Sequence, residues 1–167
     1  MKNARGNPIL ILLAEDDPDD RLMTKEALEE SRLVNDLFMV EDGELMMDYL
    51  YHRGKYATMS DWSLPGLILL DLNMPKKDGR EVLKELREDP HLRRIPVVVL
   101  TTSKAEEDIY RTYDLGVNSF ITKPVSFESL VSIMNTLKIY WLEIVELPLE
   151  QSEIRNERQS HQSAIGR

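Results

Sequence analysis

The stretch ILILLAEDDPDD, residues 9–20, joins an apolar run directly to a cluster of carboxylates. Residues 9–14 lack the polar–apolar alternation of a half-exposed strand, which predicts a strand buried on both faces, as in a parallel sheet. Five of the six residues from Glu15 to Asp20 are acidic. Like charges about 4 Å apart repel by roughly 4 kcal/mol per pair at an effective dielectric near 20. The sequence thus predicts a buried strand that ends in a site needing a cation.

A helix should begin immediately after this strand. Asp17 can cap its N-terminus, Pro18 suits its first turn, and Asp19 and Asp20 favour the positive end of the helix dipole. We interpret these three aspartates as capping groups, whereas the two acidic residues before the cap need another explanation. The predicted inward-facing residues of this helix are Leu22, Met23, Ala27 and Leu28.

Short apolar runs alternate with amphipathic segments along the rest of the chain. Further strands are predicted at 37–40, 67–70, 95–100 and 119–122, and further helices at 43–52, 80–89, 104–115 and 126–144. The third helix should bury Val82, Leu83 and Leu86. Five β–α repeats predict an α/β fold, a doubly wound parallel sheet with helices on both faces, because crossovers between parallel strands are right-handed. Sheets of this kind bind ligands beyond the carboxyl ends of their strands.

The composition limits the function classes. The 167 residues are 42% hydrophobic and carry a formal net charge of -9. This fits one globular domain and disfavours nucleic acid as a partner, because a polyanion binds a basic face. There is no cysteine and therefore no disulfide, thiol nucleophile or thiolate metal site. No apolar run approaches the roughly 20 residues of a membrane span, so we expect a cytoplasmic protein.

Three segments lie outside the β–α pattern. Residues 1–7 form an N-terminal extension, and residues 53–66 form a longer connection than usual. Residues 148–167 are polar, balanced in charge and without periodicity, which predicts a flexible tail. This leaves residues 8–147 as the predicted domain.

Polar side chains follow four of the five predicted strands at the same edge of the sheet. Glu15 and Asp16 follow the first strand, Asp71 the third, Thr101 the fourth and Lys123 the fifth. Each alone would be an ordinary turn or capping residue, but together they bring three carboxylates, a hydroxyl and an ammonium to one edge. Mg²⁺ prefers oxygen ligands and uses few carboxylates, so it is the cation that this set predicts.

The motifs LLAEDD, LILLDLNMPKKDG, IPVVVLTT and SFITKP together resemble the response-regulator receiver domain of bacterial two-component signalling. The resemblance covers roughly residues 8–146 and implies a flavodoxin-like (βα)5 fold with the strand order 2-1-3-4-5. It also implies a phosphoacceptor signalling protein rather than an enzyme, one that catalyses only its own phosphorylation and dephosphorylation.

The resemblance implies roles for the residues at the strand ends. Asp71 resembles the aspartate that accepts a phosphoryl group from a kinase phosphohistidine. Asp16, Asp71 and the backbone carbonyl of Asn73 would bind Mg²⁺, with Glu15 acting largely through water. Lys123 would pair with Asp71 and then with the phosphoryl oxygens.

Two further positions would form the switch of such a domain. Thr101 would move to hydrogen-bond the phosphoryl group and draw Phe120 inward. Phe120 carries no hydroxyl, so an aromatic swing is possible but a tyrosine hydrogen bond is not.

Val125 stands where many relatives carry Phe, so packing beneath the output face should differ. Glu15 replaces the commoner Asp, which leaves metal binding credible.

A narrower resemblance is to stand-alone regulators paired with bacterial phytochrome kinases of the cyanobacterial type. It rests on the sequences YLYHRGKY, KKDGREVLKEL and YWLEIVELP. It implies that the sensor histidine kinase is a phytochrome. No output domain is recognisable after the predicted domain, so we expect the protein to signal through an interaction surface.

Apolar residues near the end of the predicted domain are candidates for that surface. Tyr140, Trp141 and Leu142 are consecutive and about 100° apart on a helix, so they cannot all face the core. We predict a homodimer through the fourth helix, fifth strand and fifth helix. The face should carry Tyr110 or Tyr113 and part of the segment 140–145.

Two alternatives remain open. A haloacid-dehalogenase-like, Mg²⁺-dependent phosphatase also uses an Asp after a strand and a Lys. Such enzymes carry a second acid two residues beyond the nucleophile, where this chain has Asn73, and they need a cap larger than residues 53–66. The other alternative is a degenerate receiver that acts as a phosphorylation-independent binding module. A degenerate receiver is expected to lack Asp71, Lys123 or one acid of the pair, and all are present.

Overall fold

The computed structural model describes residues 9–32, 35–102 and 105–144. The predicted extension at 1–7 and the predicted tail at 148–167 lie outside the described residues. Within the described residues, no helix combines the length and the apolar character that crossing a membrane requires.

The five strands form one parallel sheet in the order β2-β1-β3-β4-β5, which confirms the predicted fold class. Their bounds are β1 Ile11–Ala14, β2 Leu37–Val40, β3 Leu67–Leu70, β4 Val97–Thr101 and β5 Ser119–Thr122. Ala14 is paired with Val40 on one side and with Leu70 on the other. The central strands therefore end level with one another, and the residues that follow them emerge at one edge.

In the part of the chain that the structure describes, five α-helices connect and flank the strands. They are α1 Pro18–Glu30, α2 Gly43–Leu50, α3 Gly79–Glu88, α4 Glu106–Asp114 and α5 Phe127–Leu137. A single long helix was expected from residue 126 to residue 144, but the last seven residues, Lys138–Ile144, widen into a π-helix. In this segment Trp141 is buried, whereas Ile139 and Tyr140 are half exposed.

Each face of the sheet packs against its own helices. Leu12 and Ala14 belong to a core with α2 and α3, and Ile11 and Leu13 belong to a second core with α1 and α5. Both faces of β1 are thus buried, which explains why its sequence shows no polar alternation. Val82, Leu83 and Leu86 of α3 are fully buried, as predicted.

One prediction for α1 is wrong. Leu22 was expected to face the core, but its side chain is 53% exposed. Thr24, Ala27 and Leu28 form the buried stripe instead. At about 100° per residue, Leu22 lies about 160° around the helix from Thr24, on the opposite side. Met23 is partly buried and packs against the core.

The long connection after α2 is packed against the edge of the sheet. It contains a short 3-10 helix, Gly54–Tyr56, and Tyr56 and Phe38 both lie against the ring of Tyr49. The indole Nε1 of Trp62 donates to the Tyr49 carbonyl at 2.7 Å, and the Tyr49 hydroxyl donates to the Ser63 carbonyl at 2.9 Å. This segment therefore completes the core beside β2.

Candidate functional site

The first part of the site is the turn between β1 and α1. Glu15 is buried, and its Oε1 accepts a hydrogen bond from the Asp17 backbone N–H at 3.1 Å. The Asp17 carboxylate in turn accepts from the N–H groups of Asp19 and Asp20 at 2.9 and 3.0 Å. The predicted cap is therefore present. The helix starts at Pro18, with only three residues between it and the end of the strand, and the side chain of Asp16 is left partly exposed at the edge.

Asp71 is the central carboxylate of the site. It directly follows β3 and is only 6% exposed. Its Oδ1 accepts from the Thr101 hydroxyl at 2.9 Å and from the Asn73 backbone N–H at 3.1 Å. Its Oδ2 accepts from the Lys123 ammonium at 3.1 Å. Residues at the ends of β3, β4 and β5 therefore meet at one side chain.

Lys123 is shared by three carboxylates. Its buried Nζ donates to Glu15, to Asp20 Oδ2 at 3.0 Å and to Asp71 Oδ2 at 3.1 Å. An ammonium has three N–H donors, so these carboxylates occupy all of them. Burial alone would lower the pKa of Lys123, but its contacts with Glu15 and Asp71 outweigh burial and raise it. Lys123 is therefore firmly charged.

One ammonium does not compensate the negative charge of the site. The pKa of Glu15 is raised from 4.5 to about 7: burial is the largest cause, the neighbouring Asp71 adds to it, and Lys123 opposes both. Carboxylate oxygens of Glu15, Asp16 and Asp71 lie within 4.8 Å of one another. Three oxygen donors at this spacing, with excess negative charge, fit a divalent cation such as Mg²⁺.

The predicted switch residues lie on the neighbouring strands β4 and β5. Thr101 is fully buried at the end of β4 and already bonded to Asp71. Phe120, on β5, is half buried and packs against the core on the α2 and α3 side. Val125 is fully exposed and therefore adds no packing beneath this face.

Sequence reasoning missed Asp20 as part of the site. Asp20 was interpreted as a group that favours the helix dipole, but its carboxylate bonds Lys123 directly. The signal was its position: Asp20 lies in the first turn of α1, within one helical turn of the acidic pair, so it can face the same edge. Asp17 and Asp19, in contrast, are exposed.

Comparisons with known proteins point to one family. A family model described as the response regulator receiver domain matches residues 11–135. Response regulator Rcp1 of Synechocystis is 43% identical over 148 residues, which are 89% of this chain and 99% of Rcp1. The crystal structure of Mn²⁺-bound Rcp1 has a TM-score of 0.77 at 44% identity and covers 85% of this chain and 100% of that one.

Two further solved structures come from phytochrome signalling. The phosphorylated cyanobacterial phytochrome response regulator RcpA has a TM-score of 0.78 at 46% identity, over 85% of this chain and 99% of that one. The bacteriophytochrome response regulator RtBRR has a TM-score of 0.69 at 39% identity, over 95% of both chains.

Proposed function

The chain belongs to the response regulator receiver domain family, and we propose that it accepts a phosphoryl group on Asp71 from a sensor histidine kinase in a Mg²⁺-dependent reaction. The observation that carries this proposal is the environment of Asp71. It is a buried carboxylate that touches the Thr101 hydroxyl and the Lys123 ammonium, next to two more carboxylates.

The proposed reaction is a transfer between two side chains. A carboxylate oxygen of Asp71 attacks phosphorus, the P–N bond to the kinase histidine breaks, and its electron pair stays on the imidazole nitrogen. The product is an acyl phosphate, whose reactivity suits a reversible signal. Phosphoryl transfer depends on positioning and on charge neutralisation. Lys123 is placed to supply both, because it already lies 3.1 Å from Asp71 Oδ2.

Mg²⁺ is the second source of neutralisation in this proposal. Asp16, Asp71 and the backbone carbonyl of Asn73 would hold it, with Glu15 contributing through water. When bound, the ion supplies positive charge to the oxygens of the transferring group. The pKa of Glu15 is raised because its carboxylate is buried beside Asp71, and a divalent cation at this place would offset both causes by favouring the charged form.

Thr101 and Phe120 would report the change to the surface. The Thr101 hydroxyl donates to the oxygen of Asp71 that faces it. A phosphoryl oxygen on Asp71 would offer the same hydroxyl a more strongly charged acceptor. Movement of Thr101 toward it would vacate space at the end of β4, and the half-buried ring of Phe120 on the neighbouring strand could fill that space.

A phytochrome is the kinase that the relatives suggest. RcpA and RtBRR are described as response regulators of phytochromes, and the match to Rcp1 spans 99% of its length. The protein would act in the cytoplasm, where the phosphotransfer part of a sensor kinase works.

The output would be a homodimer through α4, β5 and α5. Tyr113 on α4 and Ile139 and Tyr140 on the π-helix are half exposed, and an apolar, self-complementary patch favours a two-fold dimer. The side chain of Tyr110 lies outside the described residues. Trp141 is buried in the core, so Tyr140 is the residue whose substitution tests the interface. Sedimentation of wild type and Tyr140→Ser, each with and without phosphodonor and Mg²⁺, should show a dimer that only the wild type forms.

Intact mass measurement tests the function. Wild-type protein incubated with a small phosphodonor and Mg²⁺ should gain one phosphoryl group, and chelation of the metal should prevent the gain. A protein that binds a phytochrome kinase but never gains mass is a phosphorylation-independent binding module. Turnover of many phosphoester molecules per protein would instead indicate a dehalogenase-like phosphatase, although Asn73 stands where such enzymes carry a second acid.

A further inference from the structure

The loop between β3 and α3, residues 72–78, is fastened to the start of α2. The ammonium of Lys76 lies 2.9 Å from Asp42 Oδ2. The Asp42 side chain is only 4% exposed, and its Oδ1 also accepts from the Leu45 backbone N–H at 2.8 Å, which caps α2. One buried carboxylate thus holds the helix terminus and the loop together.

The backbone of the loop makes a second contact at the same place. A Cβ added to Gly43 would lie 2.1 Å from the carbonyl oxygen of Lys77, so the loop can approach α2 this closely only because residue 43 is glycine. Lys76 itself has a φ of 64°, in the left-handed region that non-glycine residues rarely adopt. The loop therefore holds an unfavourable conformation while it is pressed against α2.

The same loop forms one wall of the acidic site. The Asn73 N–H donates to Asp71 Oδ1 at 3.1 Å. At the other end of the loop, the Gly79 N–H donates to the Leu72 carbonyl at 2.9 Å, and a Cβ at Gly79 would lie 2.5 Å from the Asp71 carbonyl oxygen. One end of the loop is thus fixed to the Asp71 carboxylate and the other to the Leu72 backbone, while its middle is fixed to α2.

We propose that Asp42, Gly43 and Lys76 are positioning residues that hold the backbone of Asn73 in place for the metal. This inference rests on the proposed function, in which the Asn73 carbonyl is a metal ligand. Mg²⁺ demands a nearly ideal octahedral geometry, and a backbone ligand meets it only if its loop is fixed. A half-exposed ion pair contributes little alone, so the ion pair acts together with the close contact at Gly43.

Three variants test the proposal. Gly43→Ala pushes the loop away from α2 without touching a charged group. Lys76→Ala removes the ion pair while the left-handed conformation remains equally unfavourable. Lys77→Ala is the matched control, because the neighbouring ammonium bonds Glu85 of α3 instead of α2.

Two measurements are made on each protein. Titration of the folded proteins with Mg²⁺ should show an affinity about 10-fold weaker for Lys76→Ala than for wild type, and a loss at least as large for Gly43→Ala. Losses of this size are found when groups that orient metal ligands are removed. Lys77→Ala should stay within about 2-fold of wild type. Without metal, hydrogen exchange of the amides of residues 73–77 should be faster in the first two variants and unchanged in the control.

The outcomes are distinguishable. If Gly43→Ala fails to fold, Lys76→Ala decides alone. The positioning role is overturned if Lys76→Ala binds Mg²⁺ as tightly as Lys77→Ala does. It is also overturned if Lys76→Ala binds Mg²⁺ more weakly while the amides of residues 73–77 exchange no faster. A wild-type protein that neither binds Mg²⁺ nor gains a phosphoryl group overturns the proposed function instead. In that case the exchange rates of the metal-free variants still decide whether α2 anchors the loop.

Discussion

Substitution of Glu15 by Gln should stabilise the metal-free protein at neutral and alkaline pH. Glu15 is buried, and its pKa is raised from 4.5 to about 7, first by burial and then by Asp71. Between these two values the unfolded chain has released the Glu15 proton while the folded protein still retains it. The free energy of unfolding of the wild type therefore falls as the pH rises through this window.

The size of the effect follows from the shift. One pKa unit corresponds to about 1.4 kcal/mol, so the ionisation of Glu15 lowers the stability of the metal-free wild type by about 3 kcal/mol above pH 7. An amide at this position cannot ionise, but its single oxygen can accept a hydrogen bond from only one of the two donors that contact Glu15. Glu15 accepts from both the Asp17 N–H and Lys123, and loss of one hydrogen bond costs about 1 kcal/mol. Glu15→Gln should therefore be more stable by about 2 kcal/mol at pH 8.

Thermal unfolding in EDTA from pH 4.5 to 8.5 measures this difference. We expect Glu15→Gln to melt about 4–8 °C above the wild type at pH 8, and to have a flatter pH profile. Glu26→Gln, at an exposed position of α1, should follow the wild type. Saturating Mg²⁺ should reverse the order, because the ion stabilises the carboxylate and not the amide. Parallel profiles of wild type and Glu15→Gln in EDTA would refute this account of the charge in the site.

Three further predictions concern the site and the core. Asp71→Asn should keep the fold, judged by circular dichroism, and lose all phosphoryl uptake, since the amide has no anionic oxygen to attack phosphorus; uptake at the wild-type yield would contradict the assignment. Asp16→Ala should weaken Mg²⁺ binding by more than about 10-fold, whereas Asp19→Ala, whose side chain is exposed, should leave it nearly unchanged; equal affinities in a calorimetric titration would exclude Asp16 as a ligand. Trp141→Ala should cost about 3 kcal/mol in urea unfolding because its side chain is buried, while Tyr140→Ala should change stability by less than about 0.5 kcal/mol.

The convergence of the site could be predicted because parallel strands impose it. Glu15 follows Ala14 and Asp71 follows Leu70, and these two strand residues are paired in the sheet. Thr101 ends β4 and is paired with Thr122, the residue before Lys123. Residues that follow neighbouring strands in register must emerge side by side, so identifying the strands correctly was sufficient to bring them together.

The partners of individual side chains could not be predicted in the same way. The contact of Asp42 with Lys76 joins two loops that follow different strands, and neither residue belongs to a repeating pattern. Apolar periodicity was also too coarse for α1, where Thr24 is buried and Leu22 is exposed. The apolar side chain of leucine favours burial in the core, but the position of a residue around the helix decides which side chain reaches the core.

The hydrogen bonds of Lys123 limit how the site can respond to a phosphoryl group. Lys123 has three donors and three carboxylate acceptors, so a phosphoryl oxygen on Asp71 gains one only if a carboxylate loses it. Glu15 is the carboxylate that can replace its donor, because it lies among the oxygens that can face a metal ion. Asp20 is half buried at the start of α1 and can retain its bond. Lys123 would then stay tethered to α1 while its contact shifts from Glu15 toward the modified Asp71.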